Sequence, residues 1–171
     1  GVIVPDNDYW PKVSELCKKH NILLAFDEVQ TGFGRTGENF AHQLYNVKPD
    51  IMACGKAAGG GNLPVSFVAG RNDIIEVLTP GSEGSTFGGY PLASIVGIYA
   101  IKTLIDGNLA NCAKVRGAQL LNGLNNIKND FPDKIKIVRG KGLLTAFEMH
   151  NHSFLDGHKV SVNLLEKGVY A

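Results

Sequence analysis

Two short apolar segments, each ending in charged residues, constrain this 171-residue chain more than any other feature. The first covers residues 22–26 and ends in Asp27-Glu28, and the second, Ile51–Cys54, leads through a glycine into Lys56. Continuous apolar runs of this length are typical of buried strands in an open α/β sheet, where ligands bind beyond the carboxyl ends of the strands. We therefore expect a carboxylate and an amine close together at one edge of a sheet.

Lys56 is the first candidate for chemistry. A lysine at the end of a strand is ordinarily a solvated charge, and this interpretation stays open for the residue alone. Lys56 is followed by the small residues AAGGG at 57–61, however, so little bulk surrounds its amine. A partly desolvated amine is nucleophilic toward aldehydes and forms an imine with a carbonyl cofactor. A carboxylate such as Asp27 at the same edge would keep a pyridinium nitrogen protonated.

The acidic pair Asp27-Glu28 also fits the N-cap of a helix or a metal site. A metal site has little support, because no histidine lies nearby and no ligand spacing is present. His150, His152 and His158 fit no standard metal-site spacing either. Since Asp27 ends an apolar strand, we predict that its carboxylate faces a cationic partner.

A loop at residues 79–91 is rich in glycine and hydroxyl groups, and it contains Ser85 and Thr86 between glycines. A loop of this length without secondary structure is usually functional. Hydroxyls and backbone N–H groups in such a loop can bind a phosphate, with the start of a helix nearby. An ordinary flexible loop remains the alternative.

Composition excludes several classes of function. A net charge of +1 without a basic patch gives little support to nucleic-acid or membrane-surface binding. No apolar run approaches the roughly 20 residues of a membrane span. The three cysteines are odd in number and widely spaced, which favours reduced thiols in the cytoplasm or the mitochondrial matrix.

The rest of the pattern predicts alternating helices and strands. We predict helices from Tyr9 to about residue 20, within 38–47, from 72 to 78 with a cap from Asn72-Asp73, from Pro91 onward, from 109 to about 128, and at about 158–167. Further strands are predicted at 65–70, 135–138 and 143–149, with a turn at 139–142, a polar loop at 150–157 and the start of a strand at 168–171. The strand at 65–70 is predicted to be antiparallel, because it follows Lys56 too closely for a parallel crossover.

Four motifs together resemble the class III pyridoxal-phosphate aminotransferases. They are LAFDEVQTG at 24–32, KPD at 48–50 leading to GK at 55–56, GSTFGGYPL at 84–92 and VRGKGL at 138–143. Within that family the chain most resembles the ornithine aminotransferases, on GVIVP at 1–5 and PVS at 64–66 as well. The resemblance covers essentially the whole chain.

The resemblance implies an α/β chain of fold type I, a PLP-dependent transferase fold. Lys56 would bind pyridoxal 5'-phosphate covalently, and Asp27 would bind the pyridine nitrogen. Val29 would pack on one face of the ring, and Gln30 would donate a hydrogen bond to the phenolic oxygen. The implied reaction moves the δ-amino group of ornithine to 2-oxoglutarate. Another class III activity, on acetylornithine or 4-aminobutyrate, or an aminomutase, shares every motif quoted.

The same resemblance implies a homodimer, in which Ser85 and Thr86 reach the phosphate of the neighbouring subunit's cofactor. Residues 1–106 would belong to the large three-layer αβα domain, and 107–171 would form a linking helix and the beginning of a small α+β domain. A non-catalytic α/β module that binds a phosphate ligand through the 79–91 loop is the alternative from a different class.

Both ends of the chain are interpreted as cuts through a longer protein, because it starts without Met and ends where a strand is predicted to begin. By resemblance, the first phosphate-binding loop, the aromatic residue on the other ring face and a substrate-side glutamate precede Gly1. The arginine for the substrate carboxylate follows Ala171. We therefore expect the 171 residues alone to be inactive.

Overall fold

Helices and strands alternate in the first half of the chain, and a β-hairpin follows the two longest helices. The computed structural model describes residues 1–150 and 156–170. The helices are α1 (Tyr9–Lys19), α2 (Asn72–Ile75), α3 (Pro91–Asp106), α4 (Leu109–Asp130) and α5 (Gly157–Glu166), and short 3-10 helices cover Ala41–Tyr45 and Lys56–Gly59. The strands are β1 (Ala25–Asp27), β2 (Ile51–Cys54), β3 (Phe67–Gly70), β4 (Ile135–Lys141) and β5 (Leu144–Met149).

The first sheet has the strand order β1-β2-β3. β1 runs parallel to β2, with Asp27 opposite Ala53, and β3 runs antiparallel to β2. The predicted direction of β3 is confirmed, since the connection from β2 is too short for a parallel crossover. This arrangement brings the carboxyl ends of β1 and β2 to the same edge of the sheet.

The first strand is shorter and more exposed than predicted. Ile22 and Leu23, expected inside the strand, are 59% and 50% exposed. Leu24 lies just before the strand, and its amide donates a hydrogen bond to Asp50 Oδ2 at 2.8 Å. Within the described part of the chain β1 pairs only with β2, and Ala25 and Asp27 are exposed. The prediction of a buried strand at 22–26 is therefore wrong in both bounds and burial.

The short helix after β3 also differs from its prediction. It ends at Ile75 instead of residue 78, and its N-cap is Arg71, without a side-chain cap. Asp73 does not cap the helix, because its carboxylate accepts hydrogen bonds from Arg71 at 3.0 and 2.6 Å. The same guanidinium also donates to Asp50 at 2.6 Å and so fixes the end of β3 to the start of β2.

The second sheet is the antiparallel hairpin β4-β5. β4 continues through Arg139 and Lys141, which were predicted to lie in the turn, and the turn itself is Gly142-Leu143. Arg139 remains in the strand because its side chain is well paired there. It donates to Glu148 on β5 at 3.0 Å and to the carbonyl of Val2 at 2.8 Å.

The remaining element predictions agree with the structure to within a few residues. The predicted helix within 38–47 is the 3-10 helix, and the break between α3 and α4 falls at the predicted Gly107-Asn108. Residues 168–170 lie outside any strand, whereas Ala171 and most of the predicted 150–157 loop fall outside the described residues.

The helices of the described residues include no single one that is long and apolar enough to cross a membrane. α3 and α4 together reach the necessary length and hydropathy, and they are bent by 62° at the break between them.

Aromatic rings connect α1, the first sheet and the loop after β1. Trp10 of α1 packs edge-to-face on Phe26 of β1, with ring centroids 4.7 Å apart. Phe33, in the loop after β1, contacts Phe40 at 5.4 Å and Phe67 of β3 at 6.3 Å. Edge-to-face pairs of this kind add to the stabilisation from their buried area. They hold the loop against the sheet.

A close glycine contact joins α4 to the hairpin turn. A Cβ at Gly117 of α4 would lie 2.0 Å from the carbonyl oxygen of Gly142. Gly142 has a positive φ of 55°, and a Cβ there would lie 2.6 Å from the amide of Gly37 in the loop after β1. Helix, turn and loop therefore meet at backbone distance, and only glycine fits at the contact.

We expect Gly117→Ala and Gly123→Ala, both within α4, to change stability in opposite directions. A Cβ at Gly123 meets nothing within 4 Å, so alanine should raise the free energy of unfolding by about 0.5–1 kcal/mol through helix propensity. Gly117→Ala should lower it by about 1–3 kcal/mol, because the turn must move. Thermal unfolding of the two variants checks this, and equal shifts would contradict the close contact.

We expect the hairpin to lose stability in acid. Hydrogen bonds from Lys136 and Arg139 lower the pKa of Glu148 below its ordinary value. Ionised Glu148 therefore stabilises the fold near neutral pH, and this contribution is lost as pH falls through the lowered pKa. The free-energy difference between wild type and Glu148→Gln, from urea unfolding, should shrink between about pH 6 and about pH 3. A difference that stays constant over this range would contradict the assignment.

Candidate active site

Lys56 lies at the carboxyl end of β2, where the parallel pairing also brings the end of β1. It begins the 3-10 helix Lys56–Gly59 and has a positive φ of 47°. A non-glycine residue in this conformation costs about 1–3 kcal/mol and persists only where its surroundings hold it, commonly at functional sites. The Lys56 side chain is exposed. The prediction of a partly desolvated Lys56 amine is therefore wrong for the 171-residue chain by itself.

The amine of Lys56 contacts the loop after β1. Its Nζ donates a hydrogen bond to Gln30 Oε1 at 3.1 Å. Val29 lies beside them, because a Cβ added at Gly55 would meet the Val29 methyl groups at 3.4 and 3.5 Å. Two residues of the loop thus lie against the two residues that follow β2. The sequence-predicted Val29, Gln30 and Lys56 are brought together.

Asp27 ends β1 at the same edge. One carboxylate oxygen, Oδ1, accepts a hydrogen bond from the amide of Val29 at 2.9 Å. Within the described residues, the other oxygen accepts no hydrogen bond and no cation pairs with the carboxylate. One oxygen is therefore fixed by the backbone, and the other is free to accept a hydrogen bond from a ligand.

Glu28 takes one of the roles that the sequence analysis left open for the Asp27-Glu28 pair, because it binds N–H groups at the start of a helix. Its side chain is only 1% exposed. The carboxylate accepts hydrogen bonds from the hydroxyl of Thr31 at 2.5 Å and from the amides of Ala41 and His42 at 3.1 and 2.8 Å. It therefore binds the first N–H groups of the 3-10 helix Ala41–Tyr45. The sequence did not identify which helix is capped, because the bound N–H groups lie thirteen and fourteen residues further along the chain.

Cys54 lies beside this buried carboxylate. It is 2% exposed, and burial together with the negative charge of Glu28 raises the pKa of its thiol. A neutral thiol at this position is a poor nucleophile and a poor metal ligand. Among the described residues no group of three or more His, Cys, Asp or Glu side chains could hold a metal ion.

A cavity of about 360 Å³ lies beside β1, between the N-terminal segment and the 3-10 helix Ala41–Tyr45. Asp27 and Glu28 contribute to its walls, which are mostly apolar, but Lys56 does not. Because the amine lies outside it, this cavity is not where Lys56 would act. Asp27, Gln30 and Lys56 are instead exposed at the edge where β1 and β2 end.

Ser85 and Thr86 are not brought to Lys56. Both lie in the exposed loop that precedes α3, where the carbonyl of Ser85 accepts a hydrogen bond from Gly88 at 3.0 Å. Ser85 lines an open groove of about 810 Å³ beneath α3, and Lys56 is not part of its walls. Within this chain the two hydroxyls therefore form a second, separate group.

Comparison with known proteins places these motifs in a family. The family model described as Aminotransferase class-III matches residues 1–171. The ornithine aminotransferase of Saccharomyces cerevisiae is 50% identical over 148 residues, which cover 85% of this chain and 35% of that protein. The chain therefore spans about a third of this curated relative.

Two solved structures share the fold. A crystal structure of the ornithine aminotransferase from Toxoplasma gondii matches 99% of this chain and 40% of its own, with a TM-score of 0.94 and 42% identity. A structure of acetylornithine aminotransferase from Elizabethkingia anophelis matches 100% of this chain and 43% of its own, with a TM-score of 0.93 and 41% identity. The fold-type-I prediction is thereby confirmed, and the chain belongs to the class III aminotransferase family.

Proposed function

We propose that the protein containing this chain is an aminotransferase that moves the δ-amino group of ornithine to 2-oxoglutarate, giving glutamate semialdehyde and glutamate. The observation that carries the proposal is the hydrogen bond from Lys56 to Gln30, beside Asp27, at the ends of two parallel strands. The likeness to proteins named ornithine aminotransferase supports the choice of amino donor.

The residues at this edge fit pyridoxal 5'-phosphate, on which class III aminotransferases depend. An exposed primary amine suits its aldehyde, and a carboxylate with one unoccupied oxygen suits its ring nitrogen. An amide side chain already in contact with the amine suits its phenolic oxygen. The half-buried Val29 beside Gly55 offers an apolar surface for one face of a flat ring.

When bound, pyridoxal 5'-phosphate would supply an electron-withdrawing ring that stabilises negative charge on the substrate carbon next to the amine. Lys56 would hold it covalently and, once displaced by the substrate amine, would carry a proton at Nζ to and from that carbon. Asp27 would keep a proton on the ring nitrogen through its free oxygen. Gln30 would orient both the amine and the phenolic oxygen.

We propose that the working unit is a homodimer in which Ser85 and Thr86 contact the phosphate bound by the neighbouring subunit. The position of both hydroxyls in an exposed loop, apart from Lys56, supports this arrangement. Large apolar side chains around the loop are also exposed, among them Phe87 at 78% and Tyr99 at 65%. Exposed apolar surface of this kind is typical of an interface.

We further propose that residues 1–106 belong to the large cofactor-binding domain and 107–171 to a linking helix and the start of the small domain. The separate sheets β1-β2-β3 and β4-β5 support this division. The free thiols of Cys17, Cys54 and Cys112 support the cytoplasm or the mitochondrial matrix as the compartment. The substrates are small molecules, and neither nucleic acid nor a membrane is proposed as a partner.

Transfer from N-acetylornithine is the second candidate, because the acetylornithine aminotransferase structure matches the chain almost as well as the ornithine aminotransferase structure. The two activities place different groups at the far end of the donor. Comparing kcat/KM of the full-length protein for ornithine and N-acetylornithine separates them. Preference for the acetylated donor would overturn the proposed substrate while leaving the transaminase assignment intact.

We expect Lys56→Ala in the full-length protein to reduce transamination below detection, because no other residue would hold the cofactor covalently or carry the proton. Lys48→Ala, an exposed lysine before β2, is the matched control and should keep wild-type turnover. Steady-state assays with ornithine and 2-oxoglutarate measure both variants. Near wild-type turnover by Lys56→Ala would contradict the aminotransferase proposal.

We expect Asp27→Asn to retain the cofactor but to slow turnover by about 10²–10³-fold, because a neutral amide does not stabilise a protonated ring nitrogen. Asp130→Asn at the end of α4 controls for the loss of a carboxylate. Single-turnover kinetics with bound cofactor isolate the proton-transfer step. An unchanged rate in Asp27→Asn would show that this carboxylate does not act on the ring nitrogen.

A further inference from the structure

We infer that Glu28 is a positioning residue, whose buried carboxylate holds Val29 and Gln30 against Gly55 and Lys56. This inference rests on the proposed function, in that it takes Lys56 as the residue that binds the cofactor. It assigns to Glu28 a task distinct from that of its neighbour Asp27, which is exposed and is proposed to bind the ring nitrogen.

The backbone of Glu28 is fixed on both sides. Its amide donates to the carbonyl of Ala53 at 2.9 Å and so extends the pairing of β1 with β2 by one hydrogen bond. Its own carbonyl accepts from the amide of Gly32 at 2.9 Å and closes a turn over residues 28–32. Gln30 lies in the middle of this turn, with its side-chain oxygen on Lys56 Nζ.

The carboxylate closes the same turn from the inside and ties it to a second element. The hydroxyl of Thr31 binds one end of the turn to Glu28, and the amides of Ala41 and His42 bind the far end of the loop to the same two oxygens. No cation pairs with Glu28 among the described residues. Three neutral donors therefore hold the Glu28 carboxylate, and the residue is only 1% exposed.

A substitution that keeps the shape of the Glu28 side chain can test the importance of these three donors. Glutamine has nearly the same shape, but its NH₂ group cannot accept a hydrogen bond, so at least one of the three donors loses its partner. A buried donor without a partner is costly, and the turn can relieve this cost by moving. Movement of the turn displaces Gln30 from Lys56, whereas the sheet beneath remains paired.

The test uses the full-length protein loaded with pyridoxal 5'-phosphate, and it follows the visible absorption band and the Kd of that cofactor. Glu28→Gln should raise the Kd about tenfold and shift the band in the same direction as Gln30→Ala. Thr31→Val, which removes one donor and keeps the side-chain shape, should shift the band in that direction by less. Glu38→Gln is the matched control in the same loop and should leave both readouts unchanged, since Glu38 is partly exposed and pairs with Lys114 at 3.4 Å.

The double variant Glu28→Gln/Gln30→Ala shows whether Glu28 acts through Gln30. We expect the effects on Kd to be non-additive, with the double variant close to Gln30→Ala alone. Additive effects of the two substitutions on Kd would overturn the inference. It would also be overturned if Glu28→Gln or Thr31→Val lowered the thermal stability of the protein but left the absorption band and the Kd at their wild-type values. Loss of the band in Lys56→Ala supports the proposed function whatever Glu28 does, and a band that persists there overturns the proposed function itself.

Discussion

Parallel pairing of β1 with β2 is the constraint on which the rest of the site depends. Because the two strands run in the same direction and Asp27 lies opposite Ala53, both strands end at one edge of the sheet. The segments that follow them, one carrying Gln30 and the other Lys56, then meet within hydrogen-bond distance. An antiparallel arrangement would instead place the carboxyl ends of the two strands at opposite edges of the sheet.

The loop after β1 carries Val29 and Gln30, the proposed cofactor-contacting residues, and it is held from two sides. From below, the buried carboxylate of Glu28 binds both ends of the segment 28–42. From the outside, the hairpin turn lies at backbone distance from the loop, and the amide of Leu143 donates to the carbonyl of Arg35 at 2.9 Å. Rigid support beneath this edge would preserve the geometry that the proposed chemistry requires. Arg35 itself has no assigned catalytic role, and its contribution here is through its backbone.

The sequence predicted the parts of the fold that depend on periodicity and on chain reach. The bounds of β2, the antiparallel direction of β3 and the helix break at Gly107-Asn108 agree with the structure. Errors arose where distant contacts decide the outcome. β4 continues through Arg139 because Glu148 and the N-terminal carbonyls bind its guanidinium. The sequence offered a helix N-cap for Asp27-Glu28 but could not identify the helix, because the 3-10 helix that Glu28 binds is distant in the chain. The roles of Ser85 and Thr86 remain predictions that concern a second subunit.

Reductive trapping of the cofactor tests the central claim most directly. The full-length protein is loaded with pyridoxal 5'-phosphate, treated with borohydride and digested, and its peptides are mapped by mass spectrometry. If the amine at the end of β2 holds the cofactor, the reduced adduct lies on Lys56 and is absent from the exposed Lys48 and Lys114. An adduct confined to another lysine, or no adduct in a protein that turns over ornithine, would contradict the account.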